Sequence, residues 1–179
     1  SIDGFGVLET VSGDFSIENN ALLASIPITG FGVLETVGGN FSINSNAELA
    51  SIDGFGVLET VSGDFSIDNN ALLASIPITG FGVLKTVGGS FNISANAELT
   101  SIDGFGVLES VGENFHIFSN DLLASIPEFT KLKTVGENFE IFDNAILASI
   151  PEFTKLETVG GVFNISTNAE LTSIAGFGV

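Results

Sequence analysis

Few side chains in this chain are equipped for chemistry. Its only imidazole is His116, and Glu140 occupies the matching position 24 residues later. An imidazole beside a carboxylate is the smallest pair that can move a proton. A reaction centre also needs a nucleophile or polarising donors converging on one pocket, and the sequence supplies neither around this pair. There is no Cys, which excludes disulfides, thiol catalysis and thiolate metal sites. The expectation is therefore a protein that is not an enzyme, with His116 and Glu140 as surface contact groups. Phe118 and Phe142 adjoin them, in a column that elsewhere holds Glu18, Asn44, Asp68, Ser94 and Ser166. By strand alternation these two rings point outward on neighbouring repeats, about 5 Å apart. Together His116, Phe118, Glu140 and Phe142 form the candidate patch for contact with another protein.

The remaining ionisable groups are mostly carboxylates. Asp and Glu number 22 against four Lys, for a formal charge of −18. Such a surface repels nucleic acid and anionic membranes. Glu9, Glu35 and Glu59 stack like charges in one column, which then continues as Lys85, Glu109, Lys133 and Glu157. The second half is expected to pair across repeats. The first half favours loosely held cations, and Ca²⁺ suits oxygen ligands. No calcium-loop motif is present, so the expectation is a solvated acidic face with at most weak, nonspecific Ca²⁺ binding and no cofactor. Three glycosylation sequons, beginning at Asn40, Asn92 and Asn164, recur with the repeat and read as by-products of it.

The elements that position these residues are set by an internal period. Ser-Ile recurs at Ser1, Ser25, Ser51, Ser75, Ser101, Ser125, Ser149 and Ser173, which gives seven units of 24 or 26 residues and a partial eighth. Self-similarity at this period indicates one solenoid over residues 1–179. Residues 1–50 and 51–100 differ at only seven positions, the mark of a duplicated pair of units. The two longer units carry two extra residues in Pro27-Ile28-Thr29-Gly30 and Pro77-Ile78-Thr79-Gly80. Solenoids need capping units, and neither end of this sequence has one, so an excerpt of a longer array is expected. Mean hydropathy is +0.49, yet no apolar run approaches the roughly 18 residues a spanning helix needs, so membrane insertion is not expected.

Reading down the repeat separates core from surface. Fifteen of the 17 Phe fall in two columns, one running from Phe5 to Phe177 and one from Phe15 to Phe163. Ile17 and its equivalents lie two residues after the second column. Phe-x-Ile therefore has the period of two that places both side chains on one face of a short strand. Leu8-Glu9-Thr10-Val11 and Leu23-Ala24-Ser25-Ile26 share a pattern that predicts two further extended corners, with Thr10 and Ser25 heading hydroxyl ladders. Asn20, Asn46, Asn70, Asn96, Asn120, Asn144 and Asn168 form an invariant column, predicted to be an asparagine ladder in a left-handed turn. Little room remains for helix. One helical turn is expected at each of the Pro-Glu-Phe-Thr-Lys-Leu stretches beginning at Pro127 and Pro151.

Phe-x-Ile-x-x-Asn-x-x-Leu-x-Ser-Ile, as in Phe15 to Ile26, resembles the leucine-rich-repeat signature with Phe and Ile in place of Leu. With the preceding Leu-x-Thr-Val-x-Gly it is similar to receptor L-domain-type repeats over the whole chain. That resemblance implies an all-β, right-handed β-solenoid and an extracellular or cell-surface setting, as in giant secreted surface proteins of bacteria. It implies no catalytic residues. The function expected is a structural rod or filament segment that associates with further repeats and with like chains. The alternative is a ligand-binding solenoid, either an adhesin for glycans or cell surfaces or an ice-binding face. Ice binding is disfavoured because Ser16, Ser42, Ser66 and Asn92 form no regular Thr-x-Thr array.

Overall fold

The computed structural model describes residues 1–176. The chain winds as a parallel β-solenoid in which each turn places identical positions of the repeat side by side. Four-residue strands at Phe15–Glu18, Phe41–Asn44, Phe65–Asp68, Phe91–Ser94, Phe115–Phe118, Phe139–Phe142 and Phe163–Ser166 form one seven-stranded parallel sheet. Two-residue strands from Thr10–Val11 to Thr158–Val159 form a second. The Ser-Ile corners make a third, shorter run of pairings on the remaining side. Register is one repeat to one repeat throughout, so Phe15 pairs with Phe41 and Thr10 with Thr36.

Seven apolar columns fill the interior. In the central turns Phe65, Ile67, Leu73, Ile76, Phe81 and Leu84 are fully buried, and Val87 is nearly so. Rings within the second Phe column stack nearly parallel, as between Phe41 and Phe65 at 5.0 Å and 5°. Rings of the two columns meet edge to face, as between Phe41 and Phe55 at 4.9 Å and 88°. Both geometries suit the aromatic quadrupole, and the stacking distance matches the spacing of parallel strands.

Two features of the core depart from the sequence reading. The first Phe column is not continuous: Phe81 stacks on Phe105 and Phe129 on Phe153, with no ring contact between Phe105 and Phe129 among the described residues. The Ser-Ile run breaks nearby, since Ser101 pairs with Ser125 and Ser149 with Ser173, but Ser125 does not pair with Ser149. This fault falls where Gly104-Phe105-Gly106 gives way to Glu128-Phe129-Thr130 in the same columns. Phe177, the last member of that column, lies outside the described residues.

The helical turns also lie elsewhere than expected. Pro127 and Pro151 lead into non-helical turns, whereas Ile28–Phe31 and Ile78–Phe81 each form one helical turn, and Asp103–Phe105 a 3₁₀ turn. The cause is the distance from Pro to the anchored Phe. Phe31 lies four positions after Pro27, enough for a turn that Pro can precede. Phe129 lies only two positions after Pro127, and both Phe are held in the stack.

Candidate functional site

Alternation along the four-residue strands turns Phe and Ile inward and sends two columns outward. One outward column runs Ser16, Ser42, Ser66, Asn92, His116, Glu140, Asn164. The other runs Glu18, Asn44, Asp68, Ser94, Phe118, Phe142, Ser166. Two hydrogen-bonded ladders hold the sheet that carries them.

At the C-terminal corner of each strand is the asparagine ladder. Asn46 donates its backbone N–H and its Nδ2 to Asn70 Oδ1 at 3.1 and 3.2 Å. Its Nδ2 also reaches Ile17 O of the preceding turn at 2.9 Å and Asn44 O of its own turn at 3.0 Å. The same pattern repeats at Asn70, Asn96, Asn120 and Asn144, all fully buried. These amides satisfy backbone groups that the corner would otherwise bury without partners. The left-handed residue, however, is the one before the Asn. Asn19, Ser45, Asn69, Ala95, Ser119, Asp143 and Thr167 have φ of 53–58°.

At the opposite end of each strand a second ladder runs through the residue before Phe. Asp14 Oδ1 accepts the N–H of Asn40 at 2.7 Å, Asn40 Oδ1 that of Asp64 and Asp64 Oδ1 that of Ser90, both at 2.8 Å. Asn138 Oδ1 closes the series on the N–H of Val162 at 2.7 Å. The signal for this ladder was present in the sequence as an Asp, Asn or Ser before each Phe from Phe15 to Phe139. The mixture of residue types obscured it. By contrast, the Thr10 and Ser25 columns stack in register without hydroxyl-to-hydroxyl hydrogen bonds among the described residues.

On the outward face, the first four turns carry a polar mesh. Ser42 Oγ and Asn44 Nδ2 both donate to Glu18 Oε1 at 2.8 Å. The Ser42 bond is the main reason the Glu18 carboxyl is held below the usual carboxylate range. Ser66 Oγ donates to Asp68 Oδ1 at 2.8 Å, and Asn92 Nδ2 bridges Ser66 and Ser94.

The next turns bring the four expected patch residues together. His116 Nε2 lies 2.9 Å from Glu140 Oε2, an ion pair when the imidazole is protonated. That approach is too misaligned to be a hydrogen bond, and His116 Nε2 has no other acceptor. Glu140 also accepts from Asn164 Nδ2 at 3.3 Å. Phe118 and Phe142 stack at 4.8 Å and 5°, both half-buried. Because this stack runs along the solenoid, each ring covers one face of the other.

Chemically, the patch holds one imidazole–carboxylate pair, with no hydroxyl bonded to the imidazole among the described residues. Nor, among them, does any group of three or more His, Asp or Glu converge as metal ligands, and no helix is long and apolar enough to cross a membrane. The charged column beginning at Glu9 differs from its expected pairing. Lys85 contacts Glu59 at 3.0 Å, whereas Lys133 forms no ion pair with Glu109 or Glu157. No family model matches the chain, and neither a curated protein nor a solved structure does.

Proposed function

We propose that this chain is a stiff section of a long secreted or cell-surface solenoid of the leucine-rich-repeat-like kind, serving as a rod or filament segment and not as an enzyme. The observation that carries this reading is where variation is allowed. Inward columns and the asparagine ladder persist through seven turns, and the second ladder through six, while substitutions that change character fall on outward positions such as His116, Phe118, Glu140 and Phe142. Selection for a uniform, stackable cross-section with a variable exterior produces that pattern. The fault in the first Phe column, between Phe105 and Phe129, leaves both rings fully buried.

The stacking surfaces support the same reading. Phe5 and Phe163 are about half exposed, at 49% and 48%, while their equivalents Phe55 and Phe115 are fully buried. A further turn of the same repeat would cover either end with the bonds already used inside, which makes such a rod extendable by duplication. The likeness of the repeat to L-domain arrays of bacterial surface proteins carries the extracellular part of the proposal. Adhesion is a secondary role, favoured by the aromatic pair at Phe118 and Phe142.

Negative-stain images of the native parent protein test this directly. A thin rod of constant width, bearing these repeats along its length, is the expected result. A compact particle with these turns folded against a catalytic domain would refute it.

A further inference from the structure

Among the described residues, two buried side-chain polar atoms lack a hydrogen-bond partner, Asn92 Oδ1 and His116 Nε2. They belong to register neighbours on adjacent strands, so the two gaps fall side by side in one outward column. Turning the Asn92 amide over would not close them. Its Nδ2 donates to Ser66 Oγ at 3.2 Å and to Ser94 Oγ at 3.1 Å, and Ser66 Oγ already gives its own proton to Asp68 Oδ1. Asn92 Oδ1 is therefore an acceptor without a donor. On the other side of His116 stands Glu140, whose Oε2 comes within 2.9 Å of His116 Nε2 but off the axis of a hydrogen bond. With its proton on Nδ1 the imidazole is itself an acceptor at Nε2. Three acceptors then follow one another on three consecutive turns.

We infer that His116 and Glu140 chelate a divalent transition-metal ion of the Ni²⁺ or Cu²⁺ kind. This goes beyond the rod reading and does not depend on it. The geometry sets the class of ion. Two donors about 2.05 Å from a metal and at right angles lie about 2.9 Å apart, the cis spacing of octahedral or square coordination. Tetrahedral coordination at the same bond length would spread them to about 3.3 Å. In the right-angled case the metal sits roughly 45° off the line joining the donors, so the imidazole lone pair aims beside the carboxylate and not at it. The misaligned approach of Glu140 has that form. A nitrogen donor also selects against Mg²⁺ and Ca²⁺, which take oxygen ligands.

Both donors are braced from outside. Asn164 Nδ2 holds Glu140 Oε1 at 3.3 Å and leaves Oε2 to face the imidazole. Phe118 meets the imidazole edge to face at 6.4 Å. Outer contacts of this kind fix the orientation of metal ligands. The remaining coordination positions fall to water, and a metal-bound water is a donor of the kind that Asn92 Oδ1 lacks. The net charge of −18 draws cations to the whole surface without selecting among them, so selectivity must come from the pair.

His116 is the only histidine of the chain, so its ring protons report on this site directly by NMR. The intact chain is titrated with NiCl₂ over a background of about 10 mM MgCl₂, which occupies the general acidic surface. The imidazole signals are expected to broaden selectively with Ni²⁺, to recover on adding EDTA, and to stay unmoved by Mg²⁺ or Ca²⁺ alone. A lone surface imidazole also takes up Ni²⁺ weakly, so Glu140→Gln is the decisive variant. It keeps the shape of the side chain and is expected to weaken Ni²⁺ binding about tenfold or more. Binding should also raise the melting temperature of the wild type, and His116→Gln should abolish that rise. Unchanged circular dichroism without metal would show that both variants fold. The inference is overturned if millimolar Ni²⁺ leaves the wild-type imidazole signals unchanged. It is equally overturned if Glu140→Gln binds Ni²⁺ as tightly as the wild type, since Glu140 would then be an ion-pair partner of His116 and nothing more.

Discussion

Asn96 shows how much of this fold rests on one side chain. Its Oδ1 accepts the backbone N–H of Asn70 at 3.0 Å, and its Nδ2 donates to Ile67 O at 3.0 Å, in a fully buried setting. Asn96→Ala would strand both backbone groups, each at about 1–3 kcal/mol, so a loss of about 3 kcal/mol or more is expected in urea unfolding. A loss below about 1 kcal/mol would mean that the ladder is ornamental. This column was legible in the sequence because one residue type recurs without exception. Its neighbour was not. The left-handed position holds Asn, Ser, Ala, Asp and Thr, so composition gave no hint that Ala95 or Thr167 carries the turn. The turn survives there because the flanking strand and the buried Asn fix both ends of it, and tertiary context outweighs the preference of a single residue.

At the scale of elements, two opposed ladders clamp each four-residue strand. The Asp14 column accepts from the following turn, and the Asn20 column donates to it. A strand displaced by one residue would lose both sets at once and turn Phe and Ile outward, which explains why such short strands keep register. The Ser-Ile side has no comparable clamp, and that is where the stack is faulted. Ala124 N–H donates to Thr100 O and Thr172 N–H to Ala148 O, while Ala148 N–H has no such bond to the preceding turn. Hydrogen exchange should therefore release the Ala148 amide faster than those of Ala124 and Thr172. Equal protection of the three would contradict the fault. Sequence patterning located the strands here because Phe-x-Ile alternation is a two-residue signal. It misplaced the helical turns because the decisive quantity was the spacing between Pro and a Phe already committed to the core.

For the whole molecule, the central claim is that each turn repeats the last closely enough for the solenoid to continue as one straight body. The sequence allows a direct trial, since the partial unit Ser173 to Val179 matches Ser1 to Val7 except for Ala175 in place of Asp3. Joining Val179 to Leu8 of a second copy therefore continues the repeat in register. Small-angle scattering from this doubled chain, at concentrations low enough to keep it monomeric, is the most direct measurement. A rod lengthened by about 34 Å over the single chain, with the same cross-sectional radius, is the expected result. A thicker particle, or the broad distance distribution of two bodies on a flexible joint, would contradict it.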